Sequence, residues 1–336
     1  MRIAVYGAGS IGCLVGGSLL AQGNDVVMIG RDAVRREVMK HGLTVSDLDG
    51  RSEHIPPEKA PFFTDPGRVL GADVILLTVK SPDTRQAAKE IAAHANKDVV
   101  VYSLQNGVGN APILREELKG FAVVAGMVAF NALSMGEGRF HRATDAGLVV
   151  GKHPASHQLA RLLKQSHIPT TIATDMQAVL WGKLCLNLNN AINVLSDLPL
   201  KQELERRNYR RVLAACIEEA LAVMRAKNIE PATIGKVSPR YLPHILNLPD
   251  PVFKLVAGSM MKMDENARSS MWEDLQMGRE PEIDYLNGKI AAEGDALKIA
   301  TPANARITEL VKAAFASGAS PKMSGQALLD AITPKA

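Results

Sequence analysis

This chain predicts an α/β protein: an N-terminal Rossmann-type doubly wound parallel sheet followed by an all-α C-terminal part. Three observations carry that expectation. The glycine hexapeptide Gly7-Ala8-Gly9-Ser10-Ile11-Gly12 stands between a strand-like run and an apolar helical pattern. Further apolar runs then alternate with helical segments as far as Ala173. Beyond that point helical periodicity dominates. At 336 residues the chain is long for one domain, and two are expected, over 1–174 and 175–336.

The first strand is read at residues 2–6, followed by the hexapeptide and a helix through Leu14, Val15, Leu19 and Leu20 that ends at Gly23. Each glycine has its own reason: Gly7 for the turn, Gly9 for backbone approach to a pyrophosphate, Gly12 for close packing of the helix. The free N–H groups and partial positive charge of the helix N-terminus then suit phosphate. A tight turn holding no ligand is the plainer alternative. A second strand over 25–29 leads to Gly30 and Arg31. An NAD site usually carries an acid there, for the ribose 2′-hydroxyl. A guanidinium suits a 2′-phosphate instead, which favours NADP(H). Asp32 next door leaves open a shift of register that would place a carboxylate near the ribose.

Further strands are read at 73–79, 99–104, 123–128, 148–150 and 170–173, with helices at 84–93 and 111–118 between them. Two polar clusters fall at strand ends, where ligands of such sheets bind. These are Thr78-Val79-Lys80-Ser81 and Gln105-Asn106-Gly107, and Lys80 and Asn106 either reach the nicotinamide ribose or simply cap the helices that follow. Residues 136–151, punctuated by glycine, are read as a hairpin closing the domain, with His141 as a surface histidine. A linker is expected near Ala173 to Asp175, with Thr174 or Asp175 capping a long helix.

That helix contains Lys183-Leu-Cys-Leu-Asn187-Leu-Asn-Asn190. At about 100° per residue, Asn187 lies about 40° from Lys183 and Asn190 about 20° away on the other side. One ammonium and two carboxamides thus share a stripe on an otherwise apolar helix. They are costly there unless partnered, and an oxygen-rich anion would partner them; a rim lysine and asparagines bonded to nearby backbone would also account for them. A long amphipathic helix is read over Glu203 to Lys227, with Leu213, Ile217, Leu221 and Met224 on one face. Met260, Met261 and Met263 are read as core or a subunit contact. Ser269-Ser270-Met271 begins a helix, Pro281-Glu282 opens another with Pro281 near its first turn, and Thr301-Pro302 begins the last long helix, which ends by Gly318.

Composition excludes several classes. The chain is 46% hydrophobic and 22% charged, with 39 basic and 35 acidic residues and a net charge of +4. So small and dispersed an excess argues against nucleic acid as a partner while tolerating anionic ligands. Cys13, Cys185 and Cys216 lie far apart, showing neither metal spacing nor a disulfide framework, which fits a reducing cytoplasm. No metal site is expected. No apolar run is long enough to cross a membrane, and no signal peptide precedes the first strand. The apolar helical half is compatible with a homodimer.

Taken in order, these motifs resemble the 2-dehydropantoate 2-reductase (ketopantoate reductase) family over nearly the whole chain. The matching stretches are the glycine hexapeptide with Arg31, Thr78-Val79-Lys80, Gln105-Asn106-Gly107, Lys183 with Asn187, Ser269-Ser270-Met271, Glu282-Ile283-Asp284-Tyr285-Leu286-Asn287-Gly288 and Ile299-Ala300-Thr301-Pro302. The resemblance implies NADPH-dependent reduction of 2-dehydropantoate to (R)-pantoate, a step toward pantothenate and coenzyme A. It makes Lys183 the proton donor and places Asn187 and Ser270, with Asn106 close by, on the substrate. Glu282 would hydrogen-bond in the site beside substrate and cofactor, and Lys80, Asn106 and Ala132 would line the cofactor together with Gly7 through Gly12. Two positions depart from the family pattern. Ala191 stands where a second substrate asparagine is expected, with Asn190 adjacent as its replacement, and Lys201 stands where a further asparagine is common. A reductase of another branched 2-oxo acid is therefore the alternative, and a non-catalytic NADP-binding sensor a third reading.

Overall fold

The computed structural model describes residues 1–258 and 265–333. Met260, Met261 and Met263 lie outside the described residues. The chain divides into two compact units, Met1–Met176 and Gln177–Ala336.

The first unit runs β1 (Ile3–Tyr6), α1 (Ser10–Ala21), β2 (Val26–Ile29), α2 (Asp32–His41), β3 (Leu43–Asp47), β4 (Ser52–Ile55), β5 (Phe62–Phe63), β6 (Val74–Leu77), α3 (Thr84–His94), β7 (Val100–Ser103), α4 (Asn110–Glu117), β8 (Ala122–Val128), β9 (Ala132–Ser134), β10 (Arg139–Arg142), β11 (Leu148–Gly151), α5 (Pro154–Gln165) and β12 (Thr170–Ala173). Eight strands form one sheet in the order β12-β11-β8-β7-β6-β1-β2-β5. All neighbours are parallel except β11 with β8. Because both faces are covered, β1, β2 and β6 are buried at every position rather than alternating. Ile3, Val5, Val26, Met28, Val74 and Leu76 enter one core with α1 and α5. Ala4, Tyr6, Val27, Ile29, Ile75 and Leu77 enter the other with α3 and α4. The chain leaves β1 toward β2 and returns on β1's other side as β6, so the direction of winding switches between β1 and β6.

A second sheet, β4-β3-β10-β9, packs on α1. It corrects the hairpin expected over 136–151. Arg139–Arg142 pairs antiparallel with Ala132–Ser134 and parallel with β3, whereas Leu148–Gly151 belongs to the large sheet. The turn lies earlier because Gly136, Glu137 and Gly138 all take positive φ and reverse the chain there. A side chain at Gly138 would meet the carbonyl oxygen of Gly42 at 2.0 Å. His141 sits on β10 with its Nδ1 2.9 Å from Ser46 Oγ.

The helices that follow are α6 (Met176–Asn187), α7 (Asn189–Ser196), α8 (Leu200–Leu204), α9 (Arg207–Ala226), α10 (Leu242–Leu246), α11 (Asp250–Ala257), α12 (Ser270–Gln276), α13 (Asn287–Leu297), α14 (Pro302–Ser317) and α15 (Gly325–Ile332). The described residues of the second unit hold no strand. At its centre α9 packs against α7, α8, α10, α13, α14 and α15, burying Val212, Leu213, Cys216, Ile217, Ala220 and Met224. The helix expected over 203–227 is therefore two, α8 and α9. Arg210, fully buried, explains the junction. Its guanidinium donates to the carbonyls of Leu204 (2.9 Å), Leu246 (3.1 Å) and Leu248 (2.7 Å) and to Asp250 (2.8 Å), satisfying the carbonyls that short helices leave open. Pro281 does not start a helix: a 3₁₀ turn at Ile283–Tyr285 intervenes and α13 begins only at Asn287. No helix among the described residues is long and apolar enough to cross a membrane.

Candidate active site

In the first unit the glycine loop lies at the switch between β1 and β6. Gly7 (φ +98°) has no room for a side chain, because a Cβ would meet Val79 N at 2.5 Å. The N–H groups of Gly7 and Ala8 both bond Ile29 O, at 2.9 and 2.8 Å, which anchors the loop to β2. Gly12 lets α1 close on the loop: a Cβ there would meet Thr78 Oγ1 at 2.7 Å and Gly7 O at 2.8 Å. Thr78 itself donates to Gly7 O at 2.9 Å, so the end of β6 braces the turn. Gly9 differs, since a Cβ there would find only Gly7 O, at 3.9 Å. The loop is open at Gly9, and α1 begins at Ser10 with neither a side-chain cap nor an acid in its first turn. Ser10, Ile11 and Gly12 thus head an uncapped helix beside an open backbone, a cradle that fits a pyrophosphate.

Arg31 is exposed at the N-cap of α2, directly after β2 and Gly30. The carboxylate of Asp32 is engaged by Arg36 (2.9 Å) and Arg35 (3.8 Å) along the helix. Lys80, half-buried, precedes the short turn Ser81–Asp83. Ser81 Oγ donates to Asn106 O (3.3 Å), and Asn110 Nδ2 donates to the same carbonyl (2.6 Å). Thr84 joins Gln105 (2.7 Å) and Asn110 (2.9 Å) beneath. This buried lattice brings the two strand-end loops together, and with them Lys80 and Asn106. Ala132, half-buried, opens β9 at the edge of the smaller sheet.

In the second unit the octet is shared by two helices rather than one, with Leu188 between them. The run from Asn187 to Asn190 is poor in helix formers, which accounts for the lapse. Leu188 keeps helical angles (φ −58°, ψ −25°) and its N–H still bonds Leu184 O at 3.1 Å, so the polar stripe carries through. Lys183 sits one turn before Asn187 on the same face. Burial pulls the Lys183 ammonium below the usual lysine range, and among the described residues no carboxylate acts to restore it. Asn187 is 8% exposed, and its carboxamide makes no hydrogen bond to the described residues. A desolvated cation beside a buried, unpaired amide is an arrangement that a bound carboxylate or carbonyl would satisfy. Asn190 is half-buried, and its carbonyl accepts from Ser269 Oγ at 3.3 Å. Ser269 caps α12, accepting from Trp272 N (3.2 Å), and Ser270 is exposed in the helix's first turn. Glu282 is buried ahead of the 3₁₀ turn. Ala191 is fully buried, and Lys201 pairs with Glu265 at 3.4 Å.

Sequence reasoning missed a group beneath this stripe: Glu203, Asn193 and Ser196, all buried, hydrogen-bonded to one another and, through Asn193, to the backbone N–H of Ser269. Asn193, three residues after Asn190, was the one available signal. Cys13, Cys185 and Cys216 are free and buried, and no cluster of metal-binding side chains occurs among the described residues.

A glycine cradle at the switch point of a Rossmann sheet, followed by a helical unit that carries a desolvated lysine, defines a Rossmann-type oxidoreductase. Two family models narrow the class. Residues 3–155 match the model described as ketopantoate reductase PanE/ApbA, and residues 175–315 match that family's C-terminal model. A 2-dehydropantoate 2-reductase of Halobacterium salinarum is 27% identical over 325 residues, which cover 95% of this chain and 100% of that protein. The crystal structure of a PanE/ApbA family ketopantoate reductase from Ralstonia eutropha JMP134 superposes with a TM-score of 0.81 at 30% identity, covering 95% of this chain and 99% of that one. A ternary structure of D-mandelate dehydrogenase with NADH and anilino(oxo)acetate shares the fold at 24% identity (TM-score 0.78), covering 95% and 99% of the two chains. The chain belongs to the ketopantoate reductase family.

Proposed function

We propose that this protein reduces 2-dehydropantoate to (R)-pantoate with NADPH, a step toward pantothenate and coenzyme A. The observation that carries the reading is the half-buried Lys183, its ammonium held below the usual lysine range, one turn from the buried Asn187 amide, which has no hydrogen-bond partner among the described residues. Family membership and the names of its relatives support the substrate.

Gly7 through Gly12 would seat the pyrophosphate on the uncapped end of α1, and Arg31 would read the 2′-phosphate, free of competition from an Asp32 already held by Arg35 and Arg36. Lys80, Asn106 and Ala132 would line the rest of the cofactor. NADPH, when bound, supplies the hydride that reduces the ketone carbon. Lys183 stabilises the negative charge developing on the ketone oxygen and then gives that oxygen its proton. A lowered pKa brings this donor closer to the working pH than an exposed lysine would be. Asn187, Asn190 and Ser270 donate to the substrate carboxylate and hydroxyl, and Glu282 accepts from the hydroxyl. The test is product identification: 2-dehydropantoate and NADPH incubated with the protein yield pantoate, detected by chiral chromatography. No pantoate at any enzyme concentration would refute the reading.

A second reading, reduction of another branched 2-oxo acid, is favoured by one observation. Ala191 and Lys201, standing where family asparagines are expected, are committed to packing and to an ion pair with Glu265.

A further inference from the structure

We propose that Glu203 is a positioning residue for the oxo-acid pocket, holding the start of α12, with Ser270, against Asn190 by way of Asn193 and Ser196. The proposal rests on the reductase reading above. Glu203 lies on α8 with no exposed surface. Its Oε2 accepts from Asn193 Nδ2 at 3.0 Å and from Ser196 Oγ at 2.9 Å. Asn193, also fully buried, gives its Nδ2 to Leu198 O (2.8 Å) as well, and its Oδ1 accepts the backbone N–H of Ser269 at 2.9 Å. Ser269 in turn donates to Asn190 O at 3.3 Å. A hydrogen-bonded path thus runs from the Glu203 carboxyl through Asn193 to Ser269, whose hydroxyl donates to the Asn190 carbonyl and whose peptide bond leads into Ser270.

A second tie braces the same junction. Asp197, which ends α7, accepts from Trp272 Nε1 at 2.7 Å, and Arg268 stacks over Trp272 while lying 3.7 Å from Asp197. Buried carboxyl groups are costly, and what they bond shows what they do. Glu219 is the internal contrast. It accepts from the backbone N–H groups of Ala303 (2.8 Å) and Asn304 (2.9 Å), so it caps α14. Glu203 instead accepts from two side chains of α7, one of which, Asn193, reaches on to the backbone N–H of Ser269 at the start of α12. Burial pushes its carboxyl up to about 7, against the hydrogen bonds of Asn193 and Ser196 and the charge of Arg268, which hold it down.

The test uses the full-length protein with NADPH and 2-dehydropantoate, measuring kcat, KM, the NADPH dissociation constant and thermal melting. Glu203→Leu is expected to raise KM by about tenfold or more, with kcat within about threefold and NADPH binding unchanged. Glu203→Gln keeps an acceptor for Asn193 and Ser196 and is expected to restore KM. Asn193→Ala is expected to raise KM alike, and the double variant to add little to either single change. Should Glu203→Leu fail to fold, Asn193→Ala decides on the same criterion. A lowered melting temperature with KM unmoved would show a purely structural acid and overturn the proposal. Wild-type protein that turns over no 2-oxo acid would refute the reductase reading and this inference with it. Turnover with KM unmoved in the variants would refute only the role of Glu203.

Discussion

Burial holds the Lys183 ammonium below the ordinary lysine value of 10.5, which is what its proposed role as proton donor requires. Two outcomes are expected. Lys183→Ala lowers turnover by about 10²–10⁴-fold while NADPH titration is little changed. In the wild-type enzyme the protonated donor is lost as pH rises, so kcat for reduction falls through a pKa below 10.5, a limb absent from the alanine variant. A variant of wild-type rate would remove Lys183 from the chemistry. Arg31 is the residue proposed to set the cofactor preference. Because Asp32 is committed to Arg35 and Arg36, Arg31→Ala is expected to weaken NADPH far more than NADH, by about 10-fold or more; equal losses would exclude a 2′-phosphate contact. At this scale the sequence was a partial guide. Residue type and spacing set Lys183 and Asn187 on one face, but the missing partner of the Asn187 amide depends on neighbours distant in the chain. Glu203 was invisible for the same reason: a glutamate beside charged residues reads as surface, and only the folded helices bury it.

Among the elements, the glycine loop is the one whose geometry leaves least room. Gly7→Ala forces a Cβ to 2.5 Å from Val79 N at a φ of +98°, and no flexible side chain can yield there. Destabilisation of about 1–3 kcal/mol is expected, with loss of NADPH binding, measured by denaturant melts and cofactor fluorescence; normal affinity would dissociate the turn from the phosphate seat. The junction of α7, α8 and α12 should be pH-sensitive. The Glu203 carboxyl rises from 4.5 to about 7 on folding, so the native state holds its proton longer than the unfolded chain. Its stability is fully present below pH 4.5 and is lost as pH climbs through about 7, a decline of about 3 kcal/mol that Glu203→Gln should abolish. The same decline in the glutamine variant would assign it elsewhere. The long buried strands were legible because continuous apolar runs between helices have few other readings. β3, β4, β9 and β10 were not, since their short segments mix polar and apolar residues and draw stability from pairing with one another and packing on α1. The breaks at Leu188 and at Glu205 escaped notice because periodicity continues through them.

For the whole molecule, the winding switch between β1 and β6 fixes where the cradle lies, and the helical unit carries the polar stripe. The Rossmann sheet and the all-helical second part were both legible, since strand patterns stop where the helices begin. The substrate was less so: the two departures at Ala191 and Lys201 lie in the stretch that would select it. Cofactor binding to the native fold should raise stability by about 2.7 kcal/mol at 100 times the dissociation constant. The most direct measurement is steady-state oxidation of NADPH with 2-dehydropantoate beside a panel of other branched and aromatic 2-oxo acids. Here kcat/KM is expected to be highest for 2-dehydropantoate and to collapse in Lys183→Ala. A higher value for another acid would contradict the assigned substrate, and no oxidation with any of them would contradict the assigned chemistry.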